Sequence, residues 1–116
     1  MAPGHTVTVT PSDRHVVVKL GDRVIAESTD ALQLEETGIK TRWYLPEDDI
    51  TVDLADSSTS THCPFKGDAV YRSMPDGPDD IAWSYPDPIT EAAQDLPGHW
   101  SFWGDDVTVE VDGDAG

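Results

Sequence analysis

The amino-acid sequence predicts a mainly β domain, a half-open sandwich of about eight to ten short, mostly antiparallel strands with one short helix near residues 88–96. β-Branched residues recur in short alternating runs, and Gly, Pro and Asp turn signals separate those runs. One segment alone carries helix signals, and no strand–helix–strand rhythm is present. The chain has 116 residues, close to the usual size of one domain, so we expect a single domain over residues 1–116.

The first half of the chain predicts strands at residues 6–10, 15–20, 23–27, 32–35, 42–45 and 50–54. The first run alternates Thr with Val, which is the period of a half-buried strand. Gly21 and Asp22 accept the backbone dihedrals of a tight turn, so the second and third strands are expected to pair as a hairpin. Gly38 marks a turn between the fourth strand and the fifth.

The second half of the chain predicts further strands at residues 69–74, 81–85, 100–103 and 107–111. The first two bracket a Pro-Asp-Gly-Pro turn and should form a hairpin. Residues 56–62 are nearly all Ser, Thr and Asp, which favours a loop or an exposed edge strand. In the predicted helix, Asp87 can cap the N-terminus, Pro88 suits the first position and Gly98 stands just past the end. Residues 112–116 are expected to be a frayed tail.

The charge balance is strongly acidic, with 23 acidic residues against 7 basic residues and a formal net charge of -16. Nucleic acids and anionic membranes are bound through clusters of Lys and Arg, so neither is an expected partner. Self-repulsion on this scale is tolerated where salt screens it, and the composition therefore suggests adaptation to a salt-rich cytoplasm. The N-terminus has neither a basic region nor an apolar run, so we predict a cytoplasmic location.

Cys63 is the only cysteine of the chain, which excludes an intramolecular disulfide and any zinc site built on paired cysteines. The histidines are scattered along the sequence and lack the close spacing of metal ligands. We therefore expect neither a metal nor a cofactor.

Three blocks of residues carry a resemblance to a known family. The first block holds Tyr44, Pro46 and Asp49, the second holds Thr61, Cys63, Pro64, Lys66 and Gly67, and the third holds Trp83, Tyr85, Pro86 and Pro88. In this order the blocks resemble the DUF427 family over nearly the whole chain, although Leu45 stands where that family usually has an aromatic residue. The resemblance implies a β-tent fold, similar to methionine sulfoxide reductase B and the cereblon ligand-binding domain, in which two sheets lean together over a cleft.

Some descriptions of that family carry a nucleotidyltransferase label. Phosphate transfer requires a Gly-rich loop or a helix N-terminus together with paired carboxylates that hold Mg²⁺. No such loop precedes the predicted helix, so the residues of this chain do not support the label.

Cys63, Lys66 and Asp49 are the candidate catalytic residues. Cys63 would be a nucleophile if His62 or Lys66 stabilised its thiolate. However, neighbouring residues on a strand point to opposite faces, and a free cysteine is more often buried as a small apolar residue. Lys66 either pairs with a carboxylate such as Asp49 or faces an anionic ligand, and the ion pair is the favoured interpretation.

The candidate ligand-binding residues are Trp43, Tyr44, Lys66, Trp83 and Tyr85. Indole side chains most often belong to a core. A cleft lined by several aromatic rings can nevertheless hold a flat or cationic ligand by stacking and by cation–π attraction. Trp83 and Tyr85 are two residues apart and therefore share one face of a regular strand.

These residues favour a small-molecule-binding module with an aromatic-lined cleft. One alternative is an enzyme that uses Cys63 or Lys66 for covalent or acid–base chemistry. The other is a protein-interaction domain that pairs through an exposed sheet edge. The aromatic residues favour the first hypothesis, and the Cys63 thiol and Lys66 ammonium favour the second. The Ser- and Thr-rich segment at 56–62 favours the third.

Overall fold

A computed structural model describes residues 6–64, 66–112 and 114–115. The strands of these ranges are β1 (Val7–Pro11), β2 (Val16–Leu20), β3 (Arg23–Ser28), β4 (Leu32–Glu36), β5 (Ile39–Pro46), β6 (Ala55–Cys63), β7 (Gly67–Ser73), β8 (Ala82–Pro88), β9 (His99–Phe102), β10 (Val107–Val111) and β11 (Asp114–Ala115). Two short 3₁₀ turns accompany them, η1 (Glu47–Asp49) and η2 (Glu91–Ala93). The prediction of a mainly β fold is confirmed.

The strands form two antiparallel sheets that do not close into a barrel over the described residues. The larger sheet has seven strands in the order β1-β4-β5-β9-β8-β7-β6, and the smaller has four in the order β11-β10-β2-β3. The predicted hairpins β2–β3 and β7–β8 are both present. β9 inserts between β5 and β8, so the last strands of the chain divide between the two sheets.

The seven-stranded sheet packs on both of its faces. Between the two sheets lies a first core, which includes Val16, Val18, Ile25, Leu45, Trp100 and Phe102. On the other face of the larger sheet lies a second core, which includes Leu34, Tyr44, Ala69, Tyr85, Ala93 and Leu96. Tyr44 and Leu45 are adjacent in β5 yet belong to different cores, because successive side chains of a strand point to opposite faces.

The helix predicted near residues 88–96 is reduced to the single 3₁₀ turn η2. Asp87 and Pro88 do not begin it, because they extend β8 and pair with Asp68 and Gly67 of β7. Thr90 precedes the turn and makes no side-chain capping bond there. Pairing with a neighbouring strand has therefore overridden the local helix signals.

The strand predicted at residues 50–54 is absent, and that segment makes a single bridge between Ile50 and Ala26. Its alternating apolar residues instead pack against the first core. Residues 56–62 belong to β6, an edge strand of the larger sheet, in agreement with the prediction of an exposed edge.

The C-terminal segment makes specific contacts at the edge of the smaller sheet. Asp112 accepts hydrogen bonds from Arg14 Nε at 2.7 Å and from the His15 backbone N–H at 3.0 Å. These bonds lower the pKa of Asp112, the His15 amide contributing most. Beyond it, Asp114–Ala115 pair with β10, while residues 113 and 116 of the predicted tail lie outside the described residues. No helix in the described ranges is long and apolar enough to cross a membrane.

Candidate functional site

A recess of about 290 Å³ opens beside the second core. Its lining includes Glu36, Arg42, Tyr44, Lys66, Trp83 and Tyr85. We call it the Lys66 recess. It unites residues from all three sequence blocks with two charged residues, Glu36 and Arg42, that lie outside them.

Strand geometry places the aromatic residues of the Lys66 recess. Arg42 and Tyr44 are two apart on β5, and Trp83 and Tyr85 are two apart on β8, so each pair shares a face of the larger sheet. Lys66 lies in the turn between β6 and β7, where its backbone N–H donates to Cys63 O at 3.3 Å. The sheet thus forms the wall of the recess, and the β6–β7 turn brings the ammonium to it.

Lys66 and Glu36 form a buried ion pair, in which Lys66 Nζ donates to Glu36 Oε1. The two side chains are only 8% and 3% exposed. The ammonium also lies 5.6 Å from the ring centroid of Tyr85. The sequence predicted an ion pair for Lys66 and gave Asp49 as one example of a partner carboxylate. Asp49 instead accepts a hydrogen bond from Ser28 Oγ at 2.6 Å.

The aromatic rings of the Lys66 recess are tied to one another. Trp83 Nε1 donates to the Tyr44 hydroxyl oxygen at 3.0 Å, and the two rings meet edge to face at 86° with centroids 6.2 Å apart. Tyr85 lies 6.5 Å from Tyr44 between centroids. These contacts fix the orientation of the wall, since an indole N–H that is only partly exposed needs an acceptor.

Burial raises the pKa of Tyr44 well above its ordinary value, and the neighbouring Tyr85 raises it further. Burial likewise raises the pKa of Tyr85, with Cys63 and Tyr71 adding to the effect. Both phenols are therefore neutral at physiological pH. The Tyr44 hydroxyl accepts from Trp83 and still carries its own proton, so it can act as a donor toward the recess.

Arg42 lies against the indole of Trp83 at the rim of the Lys66 recess. Its Cζ is 5.5 Å from the ring centroid, within the range of a cation–π contact. The side chain is half-buried. This contact places a guanidinium, with its N–H donors, beside the aromatic wall of the Lys66 recess.

Cys63 and Asp49 do not line the Lys66 recess. Cys63 is half-buried and packs against the second core, close enough to Tyr85 to influence that phenol. The His62 imidazole instead contacts a carboxylate, with its Nδ1 2.7 Å from Asp68 Oδ1. His62 and Cys63 are adjacent in β6, and successive side chains of a strand point to opposite faces.

Trp43 lies on the opposite face of β5 from Tyr44. It lines a larger recess of about 640 Å³, together with Phe102 and Val109. Arg42 and Trp103 line both recesses and form the boundary between them. The structure therefore brings four of the five candidate ligand-binding residues together and separates Trp43 from them, because adjacent residues of one strand cannot share a face.

Sequence reasoning missed Glu36, Arg42, Tyr71 and Trp103, which also line the Lys66 recess. Arg42 could have been found, since it stands two residues before Tyr44 in a predicted strand. Glu36 carried no such signal, because its proximity to Lys66 depends on how β4 and the β6–β7 turn meet across the sheet.

The fold and the recess together define a single compact all-β domain that carries a buried ion pair beside an aromatic wall. A family profile described as "Domain of unknown function (DUF427)" matches residues 8–113. The chain belongs to the DUF427 family. A comparison with curated proteins found no match.

Proposed function

We propose that the Lys66 recess binds a small, flat organic molecule. The observation that carries the proposal is the convergence of Tyr44, Lys66, Trp83 and Tyr85, from three separate parts of the chain, on one recess of about 290 Å³. Ligand sites have volumes upward of about 300 Å³ and combine apolar walls with a few fixed polar groups. The recess matches the lower end of that range, and this favours a ligand of one or two rings.

The buried Lys66–Glu36 pair supports the same proposal. Removing two charges from water costs more than their attraction returns unless the geometry is excellent, so such a pair is a poor device for stability alone. At the edge of a recess, however, it supplies a fixed ammonium and a fixed carboxylate that a ligand can contact. The Tyr44 hydroxyl adds a neutral donor beside them.

An enzyme based on Cys63 or Lys66 is the weaker proposal. Cys63 does not line the recess, and the Lys66 ammonium is engaged by Glu36. A protein-interaction role, in which a partner chain pairs with the edge strand β6, is also a weaker proposal. Its support is the exposure of that edge alone. We expect the protein to bind its ligand in the cytoplasm. Neither nucleic acid nor a membrane is an expected partner, because the net charge is -16.

A metabolite screen tests the proposal, with melting temperature and tryptophan emission recorded for each compound. We expect some planar compounds to raise the melting temperature and quench the emission of the wild-type protein. Trp83→Phe should weaken both responses, whereas Trp43→Phe, on the other face of β5, should preserve them. A screen without any response, or responses that depend on Trp43 alone, would contradict the proposal.

A further inference from the structure

Arg42 differs from the other buried and half-buried cations of this acidic chain. Lys19, Lys66 and Arg72 each pair with at least one carboxylate. Among the residues that the structure describes, no carboxylate lies within ion-pair distance of Arg42, whose Cζ instead lies 5.5 Å from the Trp83 ring centroid. In a protein with 23 acidic residues, a half-buried guanidinium without a carboxylate partner is an unexpected arrangement.

The charges that face the Lys66 recess do not cancel. Glu36 is matched by Lys66, with which it forms the buried pair. Arg42 then remains as an excess positive charge at the rim. The charged side chains that line the recess therefore sum to one positive charge, whereas the molecule as a whole carries a net charge of -16.

We infer that the ligand of the Lys66 recess is a planar monocarboxylate, whose carboxylate is bound by Arg42 while its ring lies against Trp83 and Tyr85. This inference rests on the proposed function. The planar guanidinium presents paired N–H donors that match the two oxygens of a carboxylate, and its cation–π contact with Trp83 places it beside the aromatic wall of the recess. A dianionic phosphate would be repelled more strongly by the acidic surface, so the carboxylate is the favoured oxyanion.

Three probes of similar size separate the contributions of ring and charge: benzoate, benzamide and phenyl phosphate. Their dissociation constants are measured by NMR titration of the full chain at one fixed KCl concentration. We expect benzoate to bind about tenfold more tightly than benzamide, since a hydrogen bond to a charged group adds roughly this factor over a neutral one. Phenyl phosphate should bind more weakly than benzoate.

Substitution of Arg42 tests whether that residue causes the preference for a negatively charged carboxylate. Arg42→Gln should remove the preference for benzoate over benzamide, and Arg42→Lys should restore part of it, because lysine keeps the charge but lacks the planar fork. Arg23→Gln makes the same change in net charge at the start of β3, in the smaller sheet, and should leave the preference intact. Melting temperatures show that each variant is folded.

The experiments distinguish failure of the carboxylate inference from failure of the proposed binding function. Equal binding of benzoate and benzamide, a preference that survives Arg42→Gln, or tighter binding of phenyl phosphate would each overturn the carboxylate inference while leaving a binding role for the recess. Absence of binding by all three probes would overturn the inference as well. The metabolite screen decides the proposed function separately, since it includes neutral and cationic compounds.

Discussion

Lys66 and Glu36 carry opposite charges on side chains that are only 8% and 3% exposed. At this depth the attraction between the two charges offsets part of the cost of removing them from water. The pair also limits what Lys66 can do, because its ammonium is committed to a carboxylate of β4. A ligand that enters the Lys66 recess therefore meets the Lys66–Glu36 ion pair and not a free lysine ammonium.

The first prediction concerns this pair. Lys66→Met removes the ammonium from the buried pair with Glu36, and we expect it to lower the free energy of unfolding by about 3–5 kcal/mol. The double variant Lys66→Met/Glu36→Gln should recover part of the loss, because no buried charge then remains. Urea unfolding measures both values. Lys19→Met is the control, since its pair with Glu110 is more exposed and worth about 0–1 kcal/mol. A loss no larger than that of the control would show that the pair is not buried.

Gly67 follows the β6–β7 turn and lies where β7 approaches the backbone of β8 closely. Its φ is +115°, and a Cβ atom there would lie 2.7 Å from the backbone oxygen of Asp87. Gly21 also has positive φ, at +60°, but has open space around it. We expect Gly21→Ala to cost about 1–2 kcal/mol from the backbone alone. Gly67→Ala should cost more, because the clash adds to the strain. Thermal unfolding of both variants measures the two losses of stability. Equal losses would mean that β7 and β8 move apart at little cost to accommodate the added Cβ atom.

At the scale of elements, η2 closes the second core with one short turn instead of a helix. Ala93 is fully buried there, whereas Ala92 beside it is exposed. Ala93→Asp should therefore lower the free energy of unfolding by about 3 kcal/mol or more, since it buries an unpaired charge. Ala92→Asp should change it by about 0.5 kcal/mol or less. Urea unfolding distinguishes the two, and similar losses for both would contradict the described burial.

Strands and hairpins could be predicted from the sequence because their causes are local. The period-two pattern of β1 and the Gly21 turn of the β2–β3 hairpin are both visible in a few consecutive residues. The same logic predicted that Trp83 and Tyr85 share a face of their strand, and both residues line the Lys66 recess. For the site, local spacing was therefore enough to identify most of the aromatic residues.

What could not be predicted depends on contacts between distant segments. Asp87 and Pro88 resemble a helix start, but pairing with β7 makes them part of a strand. Glu36 is thirty residues from Lys66 along the chain, and nothing local indicates that they meet. The grouping of Trp43 with Tyr44 is a different case. Applying the strand period to β5 separates them, as the structure does.

At the scale of the whole molecule, the net charge of -16 dominates the long-range electrostatics. Like charges repel one another more strongly in the compact state than in an extended chain, and added salt screens that repulsion. We predict that the free energy of unfolding rises as KCl increases from low to multimolar concentration. Urea or thermal unfolding across a KCl series measures it. Equal stability at both ends of the series would rule out adaptation to high salt.

The Lys66 recess, and not the larger recess beside Trp43, is the proposed binding site of a small flat molecule. A ¹H–¹⁵N spectrum gives one indole N–H signal for each of the 4 tryptophans, and Trp→Phe variants assign them. Titration with benzoate, or with the strongest compound from the screen, should move the Trp83 signal and leave the Trp43 signal unchanged. Movement of the Trp43 signal with a stationary Trp83 signal, or no movement with any compound, would contradict the account.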